Sequence, residues 1–320
     1  MIERGTKYDA EIAEAMYHCT MCEACSNDCV TGYKPTDFIR EARTLAVVND
    51  IAPKAIIREI DNILTSGNIF GKETSADLLT AIDGLPVKAE TLLYVGQSGR
   101  AVAPGTAIAA ISFLKKAGVD FTVLKDEPAS GAYLADLMGL TGDVQAVAVK
   151  TADVIKASGA KKLIVLNPMD AVMFRDNYSR WGLLGGIEVV TFTAAAAELI
   201  ESGAVKVQKA ELRASLHEPV KLTRGIDEEK PLNDIIAALG IDHVQLFLHG
   251  KMSRCIGTVM MDGYDPAVSR VMVKTRLDDA HRLGCSVLLA ASPDDCYLMK
   301  KYAADGFEII DLIELLASKC

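Results

Sequence analysis

The chain lacks the features that would let it cross a membrane or coat a polyanion. No apolar run reaches the roughly 18 residues that a membrane-spanning helix needs. The nearest approach, 101–113, contains Pro104 and Gly105 and runs into Lys115 and Lys116. The opening residues MIERGTKYDAEI have no apolar signal-peptide core, so the expected compartment is the cytoplasm. A basic excess is also missing. There are 34 Lys and Arg against 43 Asp and Glu, a formal net charge of −9. Nucleic acid is therefore not an expected partner, because phosphate contacts need clustered cations. Aromatic residues are sparse at 6%, yet half of the 320 residues are hydrophobic. Small and branched aliphatics must fill the interior, as suits α/β layers, and the length allows two or three domains.

Cysteine is not scarce. The chain has eight, and in a reducing compartment structural disulfides are not expected. Four fall within eleven residues, Cys19-Thr-Met-Cys22-Glu-Ala-Cys25-Ser-Asn-Asp-Cys29. Thiolates on a tight loop can wrap a cuboidal cluster, one sulfur to each iron corner, and the bacterial ferredoxin run has this spacing. Zinc sites use two short pairs a dozen or more residues apart. The expected cofactor is one [4Fe–4S] cluster, a one-electron carrier, on Cys19, Cys22, Cys25 and Cys29. Its potential depends on the peptide N–H groups and charges around the thiolates. Two departures bear on Cys29. Val30 follows it where proline is usual. In two-cluster ferredoxins the fourth cysteine serves the other cluster, and here there is one run. Cys29 can complete this cluster, serve another subunit's, or stand idle.

Residues 1–90 read as helical. Ile12, Ala13 and Met16 share a face before the cysteine loop. A helix opening at Thr36 as N-cap carries Phe38, Ile39, Ala42 and Leu45 at helical spacing. Another helix follows Pro53, then a turn at 66–72 and a short helix at 74–83. From 91 onward short apolar runs alternate with helical segments. Strands are expected at Thr91–Val95, Phe121–Leu124, Lys162–Leu166 and Glu188–Thr191. A second series is expected at Arg213–Leu216, His243–Leu248, Ser286–Ala290 and Glu308–Ile310. The alternation predicts parallel sheets covered on both faces. The matching order suggests a duplicated unit, 91–203 and 212–320, joined by 204–211, with a crevice at the strand ends.

At these residues the chain resembles the catalytic iron–sulfur subunits of heterodisulfide reductase. The likeness extends to their relatives, the iron–sulfur subunits of glycolate, lactate and glycerol-3-phosphate oxidoreductases. There a helical ferredoxin-like domain precedes two lobes, each with a Cys-Cys-Gly pattern. Ile39-Arg-Glu-Ala-Arg43 and Gly67-Asn-Ile-Phe-Gly71 look like the family's spacers. In the first lobe, Tyr94-Val-Gly96-Gln97 looks like the family's Tyr-x-Gly-Cys, Ala129-Ser130-Gly131 like its Cys-Cys-Gly, and Asn167-Pro168-Met169-Asp170 like its Cys-Pro-x-Cys. The second lobe's His-Asp-Pro-Cys-His-Leu-x-Arg looks like His217-Glu218-Pro219-Val220-Lys221-Leu222-Thr223-Arg224. Its two remaining motifs look like Cys255-Ile256-Gly257 and Ser292-Pro293-Asp294-Asp295. Of ten family cysteine positions only Cys255 survives. The family's cysteines bind noncubane clusters that cleave disulfides. One thiolate cannot hold such a cluster, so no noncubane cluster and no disulfide reduction are expected. The resemblance implies partners: a flavoprotein, another iron–sulfur subunit, or both.

The expected function is an iron–sulfur electron-transfer subunit whose degenerate lobes act as a docking scaffold. A second reading is an enzyme with a repurposed crevice, since Gln97, Ser130, Asn167, Asp170, Ser292 and Asp295 make the vacated positions polar. It gains if they line one pocket and falls if they cap helices. A third is a redox sensor or assembly subunit. Cys255 reads as a buried remnant or a fourth ligand, Cys285 as core and Cys296 as helix packing, and Cys320 as a frayed terminus. His217 reads as a loop-shaping hydrogen-bonder or a proton relay. Gly96-Gln-Ser-Gly99, at a strand-to-helix turn, has the makings of a phosphate seat, with Asp126 the nearest acid, but the full dinucleotide fingerprint is absent.

Overall fold

The computed structural model describes residues 7–320. Helices come first: α1 (Ala10–Tyr17), α2 (Ala24–Asn27), α3 (Pro35–Val48), α4 (Lys54–Ser66) and α5 (Ala76–Ile82). Asp9 caps α1 by accepting the Ile12 N–H. Pro35 occupies the first turn of α3, where its fixed φ is suited and its missing N–H is no loss. The helix therefore starts before Thr36, which lies inside it and donates to Glu23 at 2.8 Å. Thr36 is not the N-cap. The buried side of α3 also differs from expectation. Phe38 and Leu45 are exposed, while Thr36, Ala42, Arg43 and Ala46 face inward. The helix turns this way because the Arg43 guanidinium finds three buried carbonyls there.

Eight strands follow in two four-stranded, all-parallel sheets. The first holds β1 (Thr91–Tyr94), β2 (Phe121–Thr122), β3 (Lys162–Val165) and β4 (Glu188–Thr191), in the order β2-β1-β3-β4. The second holds β5 (Arg213–His217), β6 (Asp242–His243), β7 (Val287–Ala290) and β8 (Glu308–Asp311), in the order β6-β5-β7-β8. The fold is α/β, as expected, and the strand order is the same twice. Two expected strands fall short: β2 ends at Thr122, and in the second sheet ladder pairing stops at His243, with Phe247 88% exposed. Ser215 Oγ donates to the Val244 carbonyl at 2.9 Å, so a side chain takes an acceptor that the next rung of the ladder would use.

Alternation along the strands sorts the interior into two layers. Leu92, Tyr94, Leu163, Val165 and Leu288 face one core, together with Tyr17, Ile56 and Ile60 of the leading helices. Leu93, Val95, Ile164, Leu166 and Leu289 face the other, with Leu78, Phe113, Phe192 and Leu312. This is the period-2 consequence of a strand buried on both faces. Both cores draw on both sheets, and cross-links join them. Thr106 donates to Asp311, and Lys116 Nζ to the Ala317 carbonyl at 2.8 Å. Lys116 also donates to the Cys320 carbonyl at 3.0 Å, and the Cys320 thiol to the Leu316 carbonyl at 3.1 Å. The last residue is tied down and does not fray. The segment after β3 begins as an α-helix, Pro168–Val172, and continues as a π-helical stretch, Met173–Tyr178.

Candidate functional site: the cysteine loop and its surroundings

The loop between α1 and α2 carries the cysteines. Met21 (φ 53°) and Glu23 (φ 62°) are left-handed, and Met21 is fully buried, which pins the loop to the interior. Its carbonyls point outward to cations. Cys19 O accepts from Arg43 Nη2 at 2.5 Å, Met21 O from Lys221 Nζ at 2.8 Å, and Cys22 O from Arg224 Nε at 2.6 Å. A loop amide turns to sulfur: Met21 N–H reaches Cys19 Sγ at 3.5 Å. N–H groups aimed at sulfur are the environment that thiolate ligands of an iron–sulfur cluster need. The residues present therefore fit such a cluster.

The cysteines are not equivalent. Burial pushes the Cys19 thiol up, and negative charge on the nearby Cys22 and Cys25 adds to the effect. Cys25 is exposed on α2. Cys29 bonds locally to Thr31 Oγ1 at 3.1 Å, and that contact, with the peptide N–H groups of Thr31, Gly32 and Tyr33, lowers its pKa. Cys22 faces a residue from the far end of the chain. Interaction between the two thiols holds Cys22 below and Cys255 above the ordinary thiol range. Among the described residues no three His, Cys, Asp or Glu side chains converge on a single-ion site.

Arg43, only 3% exposed, links the loop to the first lobe. It donates to Met16 O, Cys19 O and Asp136 O, and its guanidinium lies 4.9 Å from the Tyr17 ring centroid. The Asp136 carboxylate pairs with Arg40 at 3.2 Å and Lys221 at 3.7 Å. An open cavity of about 640 Å³ lies beside this knot, lined among others by Ser26, Arg40, Asp136, Lys221 and Arg224.

Most of the polar side chains at the lobe-motif positions bond one another or cap helices. In the first lobe Ser130 Oγ donates to Asp170, and Asn167 caps its helix by accepting the Met169 N–H at 3.1 Å. Asn167 Nδ2 and the Tyr133 hydroxyl both donate to Asp294, at 2.9 and 2.8 Å. Burial pushes Asp170 up to about 8 and Asp294 up to about 6. Gly96 (φ +81°) is required here, since a Cβ would collide with the Asp170 carboxylate. Gln97 instead accepts the Ile69 N–H at 2.8 Å, tying the spacer to the lobe, and borders a separate cavity of about 400 Å³. In the second lobe Ser292 caps its helix and bonds Asp295 at 2.8 Å. Asp295 lies 3.7 Å from His217, and Arg276, fully buried, donates to the other His217 nitrogen at 3.3 Å. His217 thus shapes a loop from a buried position. Cys285 and Cys296 are buried in the core.

The Gly96–Gly99 turn is not a free phosphate seat. The Glu127 carboxylate takes the N–H groups of Val95 and Gly96, at 2.8 and 2.7 Å. Arg43, Tyr133, Asp136, Arg276 and Asp294 were not singled out from the sequence. The arginines had one readable signal, a charge at a helical position whose neighbours at 42 and 46, or 273 and 277, are apolar.

No family profile matches the chain. Its similarity to curated proteins is to iron–sulfur redox proteins. One, from Chromohalobacter salexigens, is named a probable membrane-anchored ferredoxin. It is 26% identical over 279 residues, covering 83% of this chain and 41% of that protein. Another, from Bacillus subtilis, is named the probable iron–sulfur-binding oxidoreductase FadF. It is 25% identical over 336 aligned residues, covering 97% of this chain and 47% of that protein. The chain thus spans less than half the length of these relatives. Among solved structures, glutamate racemases from Bacillus anthracis and Francisella tularensis align over 72% and 73% of the chain and 79% and 80% of theirs. They do so at 14% and 13% identity, with TM-scores of 0.33 and 0.34, too slight a likeness to carry inference.

Proposed function

We propose that this chain is an iron–sulfur electron-transfer subunit of a heterodisulfide-reductase-like oxidoreductase. In this reading it carries one [4Fe–4S] cluster on the cysteine loop, and its lobes have become a scaffold. The observation that carries the reading is the loop's polarity: carbonyls on Arg43, Lys221 and Arg224, and an amide on the Cys19 sulfur. The similarity to proteins named as ferredoxin and iron–sulfur-binding oxidoreductase supports it. When bound, the cluster supplies one-electron transfer. The chain's own residues hold its thiolates, screen their charge with three cations and exclude water through the buried Met21. A flavoprotein or a further iron–sulfur subunit is the proposed electron partner. Val30, Tyr33 and Phe38, exposed just after the cysteines, offer it an approach.

The repurposed-crevice reading loses support because the vacated positions cap helices and bond one another. The cytoplasm is the proposed compartment. No helix among the described residues is long and apolar enough to cross a membrane, and anchoring is said only of the Chromohalobacter relative. The test is iron and acid-labile sulfide per chain after anaerobic purification, with EPR after dithionite. About four of each with the signal of a reduced cubane cluster is expected. Zinc without sulfide would sink the proposal, and a cluster that resists reduction would favour the sensor or assembly role.

A further inference from the structure

We infer that Cys255, not Cys29, supplies the fourth thiolate to the cluster held by Cys19, Cys22 and Cys25. The inference rests on the proposed cluster and deepens it by naming a ligand from the second lobe.

Three observations converge. First, the Cys255 sulfur is aimed into the loop. It lies 3.7 Å from Thr20 Oγ1, between Cys19 and Cys22 on the loop and 235 residues away in sequence. A buried remnant would pack against apolar neighbours. Cys255 instead sits at the mouth of its lobe, against the segment that carries the other thiols, and is 7% exposed.

Second, the approach is built from both sides. Arg224 donates to the Cys22 carbonyl at 2.6 Å and to the Lys251 and Ser253 carbonyls at 2.9 and 2.6 Å. One guanidinium therefore fixes the cysteine loop and the Cys255 loop together. Ser253 Oγ ties the same loop to the Glu218 carbonyl at 3.2 Å. Gly257 (φ +95°) sits against Ser269, where a Cβ would lie 3.1 Å from its hydroxyl. The turn that presents Cys255 is thus held in place.

Third, Cys29 is engaged elsewhere. Its sulfur bonds Thr31 Oγ1 at 3.1 Å, and the next residue, Val30, is fully exposed. In two-cluster ferredoxins the fourth cysteine of a run serves the other cluster. The lobe fills the corner so vacated. Ligation exchanges the Cys255 S–H bond for a sulfur–iron bond and releases the proton to solvent. The lobe thereby becomes part of the cluster's cage.

The experiment compares the wild-type chain with Cys255→Ala, Cys255→Ser and Cys29→Ala. All are purified anaerobically and read by iron, sulfide and EPR, with circular dichroism confirming the fold. The wild-type chain and Cys29→Ala are expected to hold about four irons, and Cys255→Ala about three, with the oxidised-state signal of a three-iron cluster. Cys255→Ser, whose oxygen is a weaker ligand in the same place, separates loss of ligation from loss of packing: it should retain partial iron with an altered signal. Loss on Cys29→Ala with Cys255→Ala unchanged would overturn the inference. So would four irons in both alanine variants, or a Cys22–Cys255 disulfide in iron-loaded protein. No iron or sulfide in the wild-type chain would sink the proposed function itself.

Discussion

Glu59 is a buried carboxyl with nothing to hold it. It lies on α4 and is 3% exposed, and neither oxygen has a hydrogen-bond partner among the described residues. It presses against Gly263, where a Cβ would collide with it. Burial pushes its pKa from 4.5 to about 8, with Arg58 opposing and Asp262 reinforcing the shift. The sign of the stability effect follows. The unfolded chain ionises Glu59 near 4.5, while the folded chain keeps the proton until about 8. Between these values the folded state binds more protons, so stability falls as pH rises, and the loss is complete above about 8. The 3.5-unit span, at about 1.36 kcal/mol per unit, sets a ceiling of roughly 5 kcal/mol. Water entering around the charge lowers what is measured.

Glu59→Gln keeps the shape and removes the titration. Urea unfolding at pH 5 and pH 8.5 should show variant and wild type within about 1 kcal/mol of each other at the lower pH. The variant should be more stable by about 2 kcal/mol or more at the higher pH, within that ceiling. Parallel stability curves across this range would refute the reasoning, since they would mean Glu59 ionises normally.

Other consequences follow from the same contacts. Arg43→Ala should orphan the carbonyls of Met16, Cys19 and Asp136. At about 1–3 kcal/mol for a buried unpaired group, a fall of several degrees in Tm is expected, with poorer iron retention. An unchanged Tm would remove Arg43 as the link between loop and lobe. Asp294→Ala removes the acceptor of the Tyr133 hydroxyl and one of the two acceptors of the Asn167 amide and should cost about 1–3 kcal/mol by urea titration, whereas Asp294→Asn should cost less. Lys221→Met and Arg224→Met remove cations from the loop carbonyls. Each should move the cluster's potential more negative, by about 60 mV if worth tenfold in the reduction equilibrium; a potentiometric EPR titration reads it.

Local rules made much of this chain legible. Ligand spacing in a tight loop is a property of a few adjacent residues, so Cys19, Cys22 and Cys25 stood out directly. Strands buried on both faces betray themselves as short apolar runs, and the two parallel sheets followed from their alternation with helices.

Contacts between distant segments were decided only by the tertiary structure. Polar residues at strand-to-helix turns are compatible with an open pocket or a filled one. Only packing revealed that Asp170 bonds Ser130 and that Asp294 reaches across from the second lobe to Tyr133 and Asn167. The inward side of α3 depended on carbonyls that Arg43 meets in other segments, so helical periodicity alone pointed to the wrong face. Ser215 took an acceptor beyond His243 and shortened a strand whose apolar pattern ran on. The meeting of Cys255 with Thr20 of the cysteine loop has no signature in spacing at all, because a hydrogen bond acts over a few ångströms of space and is indifferent to how much chain lies between its partners.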